Sequence, residues 1–88
     1  MKAPRFPHAT PLYDSHRMVV KFVAVLGTDN IPCAISHEAL TDHFGNDSER
    51  PVAVFTQHRG AIERIAANLI AKNRRENDGS ILIRSSDC

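Results

Sequence analysis

The sequence lacks a long apolar run, a pair of neighbouring cysteines and an excess of charge of either sign. No apolar run approaches the roughly 20 residues that a membrane-spanning helix needs. No apolar segment follows the first residues, so we expect no secretory signal. The two cysteines, Cys33 and Cys88, form no CxxC pair, and two isolated thiols favour a reducing compartment over a disulfide scaffold. We therefore expect no membrane association and a cytoplasmic location.

The charge balance excludes further classes. The chain has 11 basic and 10 acidic side chains among 88 residues, and 42% of its residues are hydrophobic. This composition is unlike that of a chain kept disordered by its charge. A sequence pI near 7.9 removes the strongest global indication of a nucleic-acid-binding protein. The length suits one domain with a single thin core, without repeats or low-complexity tracts.

Residues 1–16 are predicted to form an extended N-terminal arm, and residues 17–88 a single domain. Pro4, Pro7 and Pro11 exclude a helix in the arm, because each proline fixes its own φ and restricts the preceding residue. Apolar side chains in the arm could anchor it on the domain; they are Phe6, Leu12 and Tyr13.

A β-hairpin is predicted after the arm. Residues 18–26 are rich in β-branched side chains, and the even-numbered set is wholly apolar, so we expect it to face the core. Residues 27–30 supply turn chemistry. A second strand follows over residues 31–35, and we expect it at a sheet edge because Pro32 has no N–H to donate to a ladder.

Two helices and a third strand complete the predicted order, ββααβ. Ser36 is a suitable N-cap for a short helix that stops at Gly45. Beyond the following loop, where Asp47, Ser48 and Arg50 are alternative caps, Pro51 suits a first turn and apolar residues recur at helical spacing to about residue 73. Residues 80–85 are predicted to form the third strand. We expect an α+β fold with a three-stranded antiparallel sheet, covered on one face by one short and one long helix.

Three segments together carry a resemblance to a known family. They are residues 32–36 with 38–40 and 44–45, residues 55, 58–59 and 62–63 of the long helix, and residues 78–84. The chain resembles the short bacterial proteins of domain-of-unknown-function family 1488 over roughly residues 16–87. The arm and Cys88 lie outside this match. The resemblance implies a compact α+β fold and brings no reaction, ligand or partner.

Two groups of residues have the composition of a metal site or a catalytic triad but lack the spacing or local structure that such a site needs. His37 and His43 are six residues apart, about 600° around a helix, whereas a zinc helix needs two histidines at i and i+4. Ser36, His37 and Asp42 include the residue types of a nucleophilic triad, but Ser36 already suits an N-cap and no glycine elbow presents it. Cys33 is expected to be an inert inward-facing thiol. We therefore expect no metal and no cofactor.

Arg59 falls inside the apolar stripe of the long helix when the angles are counted from Ile62. A buried guanidinium needs carboxylates or carbonyls around it. We favour a structural tie to a strand end or to a carboxylate such as Asp78 or Asp87. The alternative is an anion site beneath the helix.

The second half of the long helix is basic. From residue 58 to residue 75 the basic side chains exceed the acidic ones by four, and we expect Arg64, Lys72 and Arg75 on the solvent side. Such a stripe could neutralise phosphates, but cations at a helix C-terminus also complement the helix dipole. The cations involved are Arg59, Arg64, Lys72, Arg74 and Arg75.

The odd-numbered face of the first hairpin strand carries Val19, Val23 and Val25 beside Lys21. Such an apolar strip is unusual on the free surface of a small monomer, so either the arm crosses it or a second copy packs there. Our leading hypothesis is a non-catalytic module that self-associates or docks a protein partner. The alternatives are a basic nucleic-acid-binding accessory protein and, third, a small enzyme. An enzyme would need one pocket that combines several of the residues His37, His43, His58 and Arg59.

Overall fold

The computed structural model describes residues 3–45 and 50–88 and confirms the α+β class. Its sheet contains β1 (Leu12–Asp14), β2 (Val19–Leu26), β3 (Asp29–Ser36) and β4 (Ile81–Ile83), in the spatial order β1-β2-β3-β4. The first three strands are antiparallel, whereas β4 runs parallel to β3. The sheet therefore has one strand more than the sequence predicted, and it is mixed rather than wholly antiparallel.

The additional strand comes from the proline-containing arm. β1 pairs with β2 from Leu12 opposite Lys21 to Asp14 opposite Val19. Further upstream, the N–H and C=O of Arg5 bond to the C=O and N–H of Val25 at 2.8 and 2.7 Å. The prolines lie outside the paired positions, so their missing N–H groups cost the ladder nothing.

The predicted hairpin is present with a shorter turn and a longer second strand, while its first strand begins one residue later than predicted. Leu26 pairs directly with Asp29, so Gly27 and Thr28 alone make the turn. Gly27 has a φ of +64°, which glycine adopts without the Cβ clash that other residues meet there.

Pro32 does not mark a sheet edge, contrary to our prediction. β3 lies between β2 and β4. Because β4 pairs only with residues 33–35, Pro32 occupies a position where no neighbouring strand needs its missing N–H. A proline therefore fits an interior strand wherever the adjacent strand is short.

The helices are α1 (His37–His43), α2 (Pro51–Gln57) and α3 (Arg59–Ala71), and Ser85–Asp87 form a final 3-10 turn. Ser36 caps α1 as predicted, because its Oγ accepts a hydrogen bond from the N–H of Ala39 at 3.0 Å. Arg50 occupies the N-cap position of α2 without a side-chain capping bond. The alternative caps Asp47 and Ser48 lie outside the described residues.

The single long helix predicted from residue 51 to residue 73 is two helices. The chain breaks at His58, whose φ of −115° is not helical and whose N–H bonds to the carbonyls of both Val54 and Phe55. The break lets α2 pack against β1 and β2 while α3 packs against β4. The residue at the break and the nearby Gly60 are weak helix formers, so they resist the bend little. Angles counted along one continuous helix therefore do not apply across residue 58.

All three helices pack on one face of the sheet, which we call the inner face. Of the predicted inward set, Val20, Phe22 and Ala24 are buried there and Leu26 is half-buried against the core. Met18 was predicted to face the core as well, and this was wrong: it precedes β2, so the alternation of the strand does not include it, and it is 54% exposed. No helix that the structure describes is long and apolar enough to cross a bilayer. The core combines the buried side chains of the sheet with those of the helices. The sheet contributes Val20, Phe22, Ala24, Ile31, Cys33, Ile35, Ile81 and Ile83, and the helices contribute Leu40, Val54, Phe55, Ile62, Ala66, Leu69 and Ile70.

Candidate interaction surface

The opposite face of the sheet, the outer face, has no helix over it among the described residues. Because side chains alternate along a strand and align between directly paired positions, Val23, Pro32 and Ala34 share this face with Leu12. Leu12 is 66% exposed and Val23 42% exposed, which makes them two of the three large hydrophobic side chains that the described surface exposes.

The valine strip of the outer face is not uniform. Val19 is only 4% exposed, Val25 is half-buried and Val23 is exposed. The arm does not cross the strip, because it runs along the edge of β2 and pairs with Lys21 and Val25 there. The described exposed part of the strip is therefore centred on Val23.

A trough runs across the outer face at this point. Its volume is about 440 Å³. Its lining includes Val23, Pro32 and Ala34 of the outer face, together with Arg59 and three residues whose side chains belong to the core, Phe22, Cys33 and Ile81. The arm from Pro7 to Leu12 borders one side, and Asp78 with Ser80 borders the other. The trough is thus a mainly apolar hollow, bordered by the arm on one side and by Asp78 and Ser80 on the other.

Leu12 is the surface residue that the sequence did not single out. We expected Leu12 to help anchor the arm, and this was wrong. Phe6 and Tyr13 anchor it, because their side chains pack on the core and the Tyr13 hydroxyl lies 3.3 Å from Nδ1 of His37. The alternation of a strand then directs Leu12 to the opposite side. The sequence indicates the outward direction of Leu12 only if residues 12–14 are known to form a strand.

Charges of both signs flank the trough and are paired within the chain. Nζ of Lys21 lies 3.4 Å from Oδ2 of Asp14. Hydrogen bonds from the backbone N–H of Arg17, and then from Lys21, lower the pKa of Asp14. The Asp78 pKa is also lowered, chiefly by the hydroxyl and N–H of Ser80 and in part by the charge of Arg17. The surface therefore carries no field of a single sign.

The two edges of the sheet offer little to a partner. In β1 the ladder pattern directs only the backbone groups of Tyr13 away from β2, and in β4 only those of Leu82 point away from β3. Such short edges are one way in which proteins avoid strand-to-strand association. Among the described residues, the broad accessible element is the outer face.

Arg59 is a structural tie, but its partners are not Asp78 or Asp87 as we suggested. Its Nε donates to Oε2 of Glu63 at 3.0 Å, while Nη1 and Nη2 donate to the carbonyls of Ala9 and Pro7 at 3.1 and 2.9 Å. Arg59 is the first residue of α3, directly after the break at His58. An anion at this guanidinium stays a prediction, and it would have to displace these bonds.

The other cations do not form the expected helical stripe. α3 ends at Ala71, so Lys72 is its C-cap and Arg74 and Arg75 follow the helix. Arg64, Lys72, Arg74 and Arg75 are all exposed. Contact with nucleic acid through these residues stays a prediction.

The residues considered for catalysis and metal binding have other contacts. Ser36 Oγ is used in the cap of α1, and His43 lies near the C-terminus. Arg59 lies at the trough, away from the hollow that contains His43. Among residues 3–45 and 50–88, no three histidine, cysteine or acidic side chains come together as metal ligands.

A serine, a histidine and an aspartate that no local pattern indicated meet at the C-terminal 3-10 turn. Oγ of Ser85 donates to Oδ2 of Asp42 at 2.8 Å and lies 3.1 Å from Nε2 of His43. The serine lies between the other two, whereas in a nucleophilic triad the histidine does. The contacts attach the C-terminal 3-10 turn to α1. The separation of 43 residues explains why no local pattern indicated them.

The two thiols differ in their surroundings. Cys33 is buried on the inner face, and burial raises the pKa of its thiol to about 11. Cys88 is exposed, and partial desolvation followed by the charge of Asp87 raises its pKa. Neither environment favours the thiolate that a nucleophile needs.

The family model described as "Protein of unknown function (DUF1488)" matches residues 5–83. The chain belongs to the DUF1488 family. The match begins at Arg5 and so includes most of the arm that we expected to lie outside the resemblance. This agrees with the pairing of the arm to β2.

Relatives of this DUF1488 chain share its length. It is 35% identical over 68 residues to the "Uncharacterized protein YrdB" of Escherichia coli K12 and equally to that of Shigella flexneri, covering 76% of this chain and 80% of each relative. A crystal structure of a DUF1488 family protein of unknown function from Shewanella loihica PV-4 superposes with a TM-score of 0.82 at 24% identity. The superposition covers 94% of this chain and 93% of that one. At this identity the likeness concerns the fold alone.

Proposed function

We propose that this DUF1488 chain is a non-catalytic interaction module that self-associates through the outer face of its sheet. The observation that carries the proposal is Leu12, a large apolar side chain 66% exposed at the rim of an apolar trough. Apolar surface beside a hollow is typical of a protein-interaction site. A second copy of the chain is the partner that we propose.

The shape of the face supports a second copy. A two-fold dimer uses the same patch on both subunits, so a projection and a hollow must both lie within it. Leu12 is the projection, and the floor around Val23 and Pro32 is the hollow. We therefore expect Leu12 of each copy to enter the trough of the other.

The charges are compatible with self-association. The formal net charge of the chain is only +1, so two copies repel each other weakly at long range. Asp14 with Lys21 and Asp78 with Arg17 place both signs around the trough, and a two-fold axis can bring opposite signs together.

The dimensions of the face predict a weak, reversible dimer. β2 and β3 have eight residues each and span about 27 Å, whereas β1 and β4 have three residues each and span about 10 Å, so at about 4.8 Å per strand the face measures about 350 Å² per copy. The total of about 700 Å² is smaller than a standard interface, in the range of weak and transient encounters. A dissociation constant of about 10–100 μM would be in keeping with such an area.

Sedimentation velocity from about 10 μM to about 1 mM tests the proposal, because this range brackets the expected dissociation constant. The wild-type chain should shift from monomer to dimer. Leu12→Asp and Val23→Asp should each raise the dissociation constant at least about tenfold, since each buries a charge in an apolar contact. Circular dichroism melting checks that both variants are folded.

Ala53→Asp is the matched control. It adds the same charge at an exposed position in the first turn of α2, on the helix side of the molecule, where a carboxylate suits the helix dipole. Its dissociation constant should equal that of the wild type. A wild-type chain that stays monomeric over the whole range contradicts self-association, and equal weakening by Ala53→Asp contradicts the choice of face.

A further inference from the structure

The arm is too long to follow β2 between its two points of pairing. Arg5 pairs with Val25, and Leu12 pairs with Lys21. Six residues, 6–11, therefore lie opposite only three residues of β2, 22–24. The three additional residues force the arm to bow away from the strand, as a larger relative of a β-bulge.

The bow leaves a gap in the ladder at Val23. Leu26 and Asp29 close a two-residue hairpin, which directs the polar backbone groups of even-numbered β2 residues toward β3. The polar backbone groups of odd-numbered β2 residues face the arm, as the two hydrogen bonds between Val25 and Arg5 show. Within residues 3–45 and 50–88, no arm residue pairs with Val23. Its N–H and C=O thus open toward the trough.

The guanidinium of Arg59 replaces the missing ladder bonds of the bowed segment. Nη1 donates to the carbonyl of Ala9, which a neighbouring strand would otherwise have to satisfy, and Nη2 donates to the carbonyl of Pro7, which also accepts from the N–H of Ala9. The two bonds, at 3.1 and 2.9 Å, use the two arms of one planar fork. The bow is therefore fixed from outside the sheet.

Arg59 is itself held in place on two further sides. Nε donates to Glu63 one turn along α3, and the guanidinium carbon lies 5.5 Å from the centre of the Phe55 ring. The side chain of Arg59 is only 19% exposed. A guanidinium fixed by a carboxylate, a ring and two carbonyls has little freedom to move.

We propose that Arg59 is the positioning residue of the dimer interface: by pinning the bowed arm, it keeps the trough open at Val23 and sets the position of Leu12. This inference depends on the self-association proposed above and names the residue that controls it. Arg59 lines part of the trough and binds the arm, so it acts through the wall that carries Leu12.

Arg59→Lys tests the inference because it keeps the charge and loses the fork. A lysine ammonium cannot donate to both carbonyls in the same plane and does not stack on Phe55 in the same way. We expect the dissociation constant measured by sedimentation to rise about tenfold, and amide hydrogen exchange of residues 8–12 to become about tenfold faster. Exchange in β3 should stay as in the wild type.

Arg64→Lys is the matched control, since Arg64 is exposed on the same helix and its one hydrogen bond among the described residues is from Nε to the carbonyl of Gly60 at 3.5 Å. It should change neither quantity. A uniform loss of protection throughout β3 in Arg59→Lys would indicate a merely structural role and overturn the inference.

The outcomes separate this inference from the proposed function. If the wild type dimerises and Arg59→Lys dimerises equally well, the inference is wrong while self-association stands. If the wild type is a monomer at all concentrations, self-association and control of a dimer both fail. Exchange of residues 8–12 then still decides whether Arg59 pins the arm.

Discussion

The two faces of the sheet are built from the same strands and end in different environments. On the inner face, Val20 and Ile35 are inaccessible to solvent beneath the helices. On the outer face, Val23 is 42% exposed beside Pro32, although both positions are apolar. Apolar composition alone therefore does not decide burial. The side on which the chain returns from β3 to β4 decides it, because only that side receives the three helices.

Phe55→Ala, compared with Leu12→Ala, should give the largest difference between the faces. Phe55 is fully buried against Phe22, with ring centres 5.0 Å apart, so its truncation should cost about 3–5 kcal/mol of unfolding free energy. Leu12→Ala removes an exposed side chain and should cost less than about 0.5 kcal/mol in the monomer. Urea unfolding at low protein concentration measures both. Equal losses would mean that the outer face is covered in solution.

Val19→Ala, compared with Val23→Ala, tests whether the outer face is uniform. Val19 is 4% exposed, so losing two buried methyl groups should cost about 1–2 kcal/mol of unfolding free energy. Val23→Ala should cost about 0.5 kcal/mol or less under the same conditions. The two substitutions are chemically identical, so their difference reports burial alone. A larger loss at Val23 would reverse the description of the trough.

Met18→Gly should stabilise the chain slightly through the connection between β1 and β2. Met18 has a φ of +56°, where its Cβ costs about 1–2 kcal/mol and where glycine meets no clash. The greater freedom of glycine in the unfolded chain offsets part of this, which leaves a gain of about 0.5 kcal/mol. Asn73→Gly is the control, because asparagine already tolerates its φ of +55°. Thermal melting that ranks Met18→Gly below the wild type would contradict the assigned strain.

Asp14→Asn should give the smallest effect, and it should depend on pH. Hydrogen bonds from the Arg17 backbone, and then Lys21, hold the pKa of Asp14 below its ordinary value of 3.8. A carboxylate whose pKa is lower in the folded chain than in the unfolded chain stabilises the fold at pH values above its ordinary pKa. This stabilisation is lost as the pH falls through the lowered pKa. The variant should therefore be slightly less stable at pH 7, and the difference should vanish in acid once the pH lies below the lowered pKa of Asp14. Urea midpoints that differ by the same amount at both pH values would contradict this.

The sequence by itself determined the features that depend on neighbouring residues. Alternation along residues 18–26 identified the inner face, Ser36 identified the start of α1, and Pro51 identified the start of α2. Each of these signals is local, because a strand has a period of two and a cap bonds within three residues. The α+β class followed from the same patterns. So did the hypothesis of an uncovered apolar face on which the proposed function depends.

Only the tertiary structure decided the features that join distant segments. Residues 12–14 became a strand because Lys21 and Val19 lay within pairing distance, and β4 became parallel because three helices return the chain to its starting end. The carbonyls that Arg59 binds lie 50 and 52 residues away from it. No periodicity records such contacts, since their energy comes from groups that the fold brings together and not from spacing along the chain.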